Sequence, residues 1–156
     1  MSSGEVIVTL AATCTDTAGN TGNASVTVKV DKTAPQLTLT GPTVPASGWL
    51  TSAPATIEVQ ASDPYSVEDE RSSASAGAGK LGPGSQLASE RCTDTLNGGS
   101  PTPLFTDTLV QQSYLAYPQI QGDGTHVVRC TMTQSAGNTT TQSLTLQLDT
   151  TAPPCR

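Results

Sequence analysis

One stretch of this chain occurs twice, and that repetition constrains the fold more than anything else in the sequence. Ala18-Gly19-Asn20 through Asp31-Lys32-Thr33-Ala34-Pro35 returns as Ala136-Gly137-Asn138 through Asp149-Thr150-Thr151-Ala152-Pro153, at a constant offset of 118 (136 − 18 and 149 − 31). Ten of the 18 aligned positions are identical, and Val26, Val28 and Val30 become Leu144, Leu146 and Leu148, so the apolar face is kept. Self-similarity at a fixed period marks a chain built from units that stack or follow one another. The 156 residues therefore read as one complete repeat preceded by the tail of another.

The repeated element is a strand pair. Residues 5–14 carry β-formers on which Val6, Val8, Leu10, Ala12 and Cys14 share a face, and Ala24 to Val30 alternates cleanly between apolar and polar. Asp16, Gly19, Asn20, Gly22 and Asn23 between them are turn residues. A hairpin alone is marginal in water, so this one needs the rest of a sandwich. The complete repeat opens with Gln36 to Thr40 and continues with Ala55 to Ser62, whose inward set is Ala55, Ile57, Val59 and Ala61. Between them Trp49 is expected to plug the core or its edge. Gln86 to Thr95 reads as a strand carrying Cys92, and Pro103 to Val110 with Ser113 to Ile120 as a hairpin around Gln111-Gln112. From Asp123 onward the first pattern returns, with His126, Val128, Cys130 and Met132 on one face and a last strand from Ser143 to Asp149. The domain boundaries follow: a terminal hairpin over 1–30, a linker over 31–35, a complete β-sandwich over 36–153, and the start of a further linker or repeat over 154–156. Asp31, Pro35, Asp149 and Pro153 mark the two joints, where proline fixes an extended backbone and removes a ladder donor.

Composition narrows the function. A net charge of −6 argues against nucleic acid or an anionic membrane surface as partner, and no run of apolar residues is long enough to insert into a membrane. Four cysteines in a Thr- and Ser-rich β chain, none in a CxxC, suit an oxidising compartment. Cys92 and Cys130 both lie inside the complete repeat and are the expected disulfide. Closing a loop of about 40 residues stabilises by roughly 3–4 kcal/mol in the chain-entropy account. Cys14 and Cys155 sit in the incomplete flanks, as free thiols or as partners of cysteines in neighbouring repeats.

The motif from Cys14-Thr15-Asp16-Thr17-Ala18-Gly19-Asn20 to Asp31-Lys32-Thr33-Ala34-Pro35 resembles the closing hairpin and linker of bacterial immunoglobulin-like repeats. Ser47-Gly48-Trp49-Leu50-Thr51 followed by Ala55 to Asp63 is similar to their early strands. The resemblance covers most of 5–62 and 123–153, with 64–118 unplaced. It implies an all-β, immunoglobulin-like antiparallel β-sandwich of about seven strands, used in tandem in large secreted or cell-surface proteins as a spacer, stalk or adhesin module. The family pattern has an Asp after the cysteine-bearing strand; this chain has Asp16 in the first copy and Gln134 in the second.

No catalytic constellation accompanies it. His126 sits inside an alternating strand and no Gly-x-Ser-x-Gly elbow exists, so a Ser-His-Asp hydrolase is not expected. Asp63, Glu68, Asp69 and Glu70 supply hard oxygen ligands for a candidate Ca²⁺ site, without an EF-hand pattern. The expected function is thus a non-catalytic, extracellular structural module whose partners are neighbouring repeats or other copies of the chain, joined head-to-tail through the N-terminal hairpin. The alternative is an accessory module that binds carbohydrate or another ligand through loops at 63–85 and 97–104, for which an exposed Trp49, or Tyr114 and Tyr117 on one flat face, would speak and against which a buried Trp49 would count.

Overall fold

The computed structural model describes residues 6–63 and 86–155 and is all-β, with no helix among the described residues. The chain divides into two compact units, Met1–Thr33 and Ala34–Arg156.

The first unit is the hairpin of β1 (Val6–Thr15) and β2 (Thr21–Val30), paired antiparallel without a bulge from Val6↔Val30 to Thr15↔Thr21. Both strands run further into the turn than alternation alone suggests. The turn is tightened by backbone bonds from Asp16 N–H to Asn20 O at 2.9 Å and from Gly19 N–H to Asp16 O at 3.1 Å.

The second unit is the immunoglobulin-like sandwich. Its larger sheet runs in the order β11-β10-β6-β7, from β11 (Thr139–Leu148), β10 (Gly124–Gln134), β6 (Leu87–Leu96) and β7 (Thr102–Gln111). The facing sheet runs β3-β5-β8, from β3 (Gln36–Thr40), β5 (Glu58–Ser62) and β8 (Ser113–Ala116). A short pair joins β4 (Ala55–Thr56) to β9 (Gln119–Ile120), and a parallel bridge ties Leu50 to Leu148. Inward positions alternate with outward ones as a two-sheet core demands: Leu37, Ile57, Val59 and Ala61 meet Val128, Cys130, Met132, Leu146 and Leu148 in one apolar cluster. Pro35 is fully buried and belongs to this sandwich, its carbonyl accepting a hydrogen bond from Thr140 Oγ1. Gly41 sits where β3 ends against β11. A Cβ there would stand 3.2 Å from methyl carbons of both Leu144 and Leu146, a tight contact that either leucine would have to yield to by a few tenths of an ångström.

Three expectations are corrected. Ala55 to Ser62 keeps its inward set but is not one strand: β4 pairs with β9, β5 pairs with β3 and β8, and Ile57 N–H bonds Pro118 O at the break. The segments around Gln111-Gln112 form no hairpin, because β7 pairs with β6 while β8 pairs with β5 in the other sheet. The two glutamines are a crossing between layers, which alternation cannot distinguish from a turn. Trp49, expected to plug the core or its edge, is 38% exposed, and it is its neighbour Leu50 that is buried in the core.

Candidate functional site

Two features stand out: the uncovered face of the hairpin, and a polar row buried under the larger sheet.

Along β1, Val8, Leu10, Ala12 and Cys14 alternate with Thr9, Ala11, Thr13 and Thr15, and the register sets them against Val28, Val26, Ala24 and Gly22. One face is therefore wholly apolar, and the other carries Thr9 against Thr27 and Thr13 donating to Asn23 Oδ1 at 2.8 Å. The apolar face is exposed: Val8 39%, Leu10 59%, Val26 55% and Val28 44%. The offset of 118 carries this hairpin onto β10–β11 register for register, since Leu10 faces Val26 as Val128 faces Leu144. The turns match too, with Gln134 N–H to Asn138 O at 3.0 Å and Gly137 N–H to Gln134 O at 2.8 Å. In the second copy the equivalent positions 126, 128, 130 and 132 are all fully buried. The copies differ at Asp16 and Gln134. Exposed Asp16 accepts bonds from Asn20 Nδ2 and from the Asn20 and Ala18 N–H groups, which hold its carboxyl below the usual range. Gln134 in the same place is buried.

The joints repeat as well. Asp31 Oδ1 accepts from Thr33 N–H at 2.9 Å, and Asp149 Oδ1 from Thr151 N–H at 3.1 Å. At the second joint Asp123 also accepts from Thr151 Oγ1 and from the N–H and Oγ1 of Thr150, and these bonds lower its pKa. Pro153 is exposed, in contrast to Pro35.

The buried row lies on the inner face of β6 and β10. Cys92 and Cys130 form the expected disulfide, as direct register partners with Cα atoms 4.1 Å apart, the spacing of a non-hydrogen-bonded antiparallel pair. The bridge thus staples neighbouring strands of one sheet. Cys14 and Cys155 are free and exposed. Glu90 stands one inward position from Cys92 on one side and Asp94 on the other, all three buried. Asp94 Oδ2 meets His126 Nδ1 at 2.7 Å, and His126 Nε2 donates to the Gly122 carbonyl at 2.8 Å. Both ring nitrogens thus face acceptors, while the other Asp94 oxygen, Oδ1, is buried without a hydrogen-bond partner. Through its bond to Gly122, His126 ties β10 to the β9–β10 loop. Glu90 is less well provided for. Its Oε1 lies 3.7 Å from the Cys92 sulfur, which carries no proton in the disulfide, and its Oε2 has no hydrogen-bond partner. Across β7, Asp107 is its register partner and accepts the hydroxyl proton of Tyr114. Burial, then repulsion from Asp107, raises Glu90 from its ordinary 4.5 to about 7. Burial and the bond to Asp107 raise Tyr114 as well.

Sequence reading missed Glu90 and Asp94, although the signal was present. Once Cys92 points inward, positions two residues away on the same strand do so too. Of the proposed calcium ligands, Asp63 is buried and donates its N–H to Gln112 O at 2.8 Å. Glu68, Asp69 and Glu70 lie outside the described residues. Among the described residues no helix is long and apolar enough to cross a membrane.

The raised Glu90 has a thermodynamic sign. Below about 4.5 the carboxyl is protonated folded or unfolded; between 4.5 and 7 the unfolded chain ionises first, so stability falls as pH rises through this window. Urea denaturation from pH 4.5 to 8 is expected to show that decline, and Glu90→Gln to flatten it, gaining about 1–3 kcal/mol at pH 8.

No protein-family model matches this chain, and a search of curated proteins finds none that is similar to it.

Proposed function

We propose that this chain is a non-catalytic structural module of an extracellular, tandemly repeated protein, and that its N-terminal hairpin is the closing strand pair of a neighbouring sandwich. The observation that carries this reading is the pair of in-register hairpins, one with its apolar face covered and one with the same face bare. In the covered copy, β10 has β6 along its free edge and the core contributed by β3 and β5 over its face. The bare copy calls for the same two things: a strand to pair with β1 and a sheet to lie over Leu10 and Val26. Another repeat supplies both, from the same polypeptide or from a second copy of the chain. Covering Val8, Leu10, Val26 and Val28 from their present exposure contributes on the order of 3–5 kcal/mol, enough to matter for assembly by strand addition. The disulfide-stapled sheet suits a spacer or stalk that bears load. The disulfide is also what supports an oxidising, extracellular setting.

A second reading, an accessory module binding carbohydrate or another ligand, is favoured by the exposure of Trp49.

Three measurements separate these readings. Static light scattering on the full chain from micromolar to millimolar concentration is expected to show self-association that vanishes on deleting residues 1–30; monomers in both cases would remove assembly through the hairpin. In single-molecule extension the Cys92–Cys130 staple withholds the segment it encloses, a separation of 38 residues, from stretching. Reduction is therefore expected to lengthen the unfolded contour by about 130 Å. Trp49 emission is expected to stay unchanged on titration with neutral and acidic polysaccharides, whereas a saturable shift would favour the accessory module.

A further inference from the structure

The charges of the larger sheet are sorted by face. Its strands β6, β7, β10 and β11 carry three acids and two arginines. All three acids point inward: Glu90 and Asp94 are buried, and Asp107, the register partner of Glu90, accepts the hydroxyl proton of Tyr114 from the facing sheet. Both arginines, Arg91 and Arg129, point outward and are exposed. The register sets Arg129 beside Thr93 and Arg91 beside Thr131, so the two are diagonal neighbours on adjacent strands, about 7–8 Å apart at Cα. Their other register partners are Ser143 and Thr106, so hydroxyls surround them and no carboxylate does. Among the described residues the one ion pair is Asp94–His126, which leaves both guanidinium groups without a counter-ion. Sheet stability does not account for this, because opposite charges across strands stabilise and like charges repel. The repeat does not account for it either: at the offset of 118, Ala11 stands in the first copy where Arg129 stands in the second.

We propose that the outer face of β6 and β10 is a docking surface for an acidic polypeptide, an extended segment of another protein with carboxylates at alternate positions. Side chains on one side of an extended chain recur every two residues, about 7 Å apart, which matches the diagonal spacing of the arginines. One carboxylate can then meet each guanidinium through two parallel N–H···O bonds, the strong form of a charge-assisted contact. The spacing is held by the sheet. Each arginine directly precedes a cysteine of the Cys92–Cys130 bridge, so the staple fixes the two strands at the level of the pair. The hydroxyls beside them serve the backbone of the same segment. Thr131 Oγ1 and Thr141 Oγ1 lie 2.9 Å apart and share one hydrogen bond, which leaves one hydroxyl hydrogen to donate outward. The net charge of −6 repels an acidic partner at a distance, but in physiological salt that field is screened beyond about 8 Å. Contact at the arginines is direct.

The test uses the full oxidised chain and a fluorescently labelled peptide in which glutamate alternates with serine. Fluorescence anisotropy is expected to saturate at one peptide per chain at low ionic strength, and the affinity to fall as salt is raised. Arg91→Thr together with Arg129→Thr keeps strand-forming side chains on an exposed face and is expected to weaken binding by about tenfold. Arg91→Lys together with Arg129→Lys keeps the charge without the paired donors, and a smaller loss is expected. Circular dichroism checks that both variants keep the sandwich; should the threonine variant unfold, the lysine variant decides in its place. Absence of saturable binding up to millimolar peptide overturns the proposal, as does a variant that binds like its parent. Equal binding of the same peptide with glutamine for glutamate overturns the role of the carboxylates. Binding of a sulfated polysaccharide without binding of the peptide overturns the choice of a polypeptide.

Discussion

A two-stranded ribbon can satisfy the hydrogen bonds between its strands, but it cannot cover its own face. Everything distinctive in this chain depends on that asymmetry. In the second unit the β10–β11 ribbon is covered, because β3 and β5 lie over it and β6 continues its sheet. The result is a core in which His126, Val128, Cys130 and Met132 lose all contact with water. The first unit presents the same ribbon without the cover. Backbone pairing is complete in both, so what separates them is apolar burial, the term that dominates folding and association.

The architecture was legible from the sequence where periodicity was strong and local. The turn at Ala18-Gly19-Asn20 and the valines of β2 repeat as Ala136-Gly137-Asn138 and the leucines of β11, and a repeat with conserved alternation leaves little freedom in where the strands lie. Legibility failed where partners are chosen by topology. Nothing in Ser113 to Ala116 announces that it pairs with β5 in place of β7, since either partner preserves its alternation. Leu50 is buried and Trp49 exposed for a related reason: the backbone bonds of Leu50 to Gln147 and Asp149 fix which of two adjacent side chains turns inward.

The buried polar groups were hidden for a different reason. Asp94 and Glu90 lie in the stretch Ser-Glu-Arg-Cys-Thr-Asp, which has the composition of an exposed strand. Only the inward disulfide reverses that reading. A bulge between Leu87 and Ser89 then allows Leu87 and Glu90, which differ in parity, both to face the core. Such irregularities re-aim side chains locally and leave no trace in a count of alternating residues.

The inner row on β6 and β10 also acts as a gauge of alignment between the strands. Sliding one strand past the other by two residues would keep every apolar side chain on its proper face, so hydrophobic burial alone hardly distinguishes the two arrangements. Such a slip would set Cys92 against a residue other than Cys130 and carry Asp94 away from His126, leaving an acid and an imidazole buried without each other. A buried polar group left without its partner costs about 1–3 kcal/mol. The cost of burying these polar groups is thereby turned into selectivity: among the alignments that β-strand patterning permits, they leave one that is affordable.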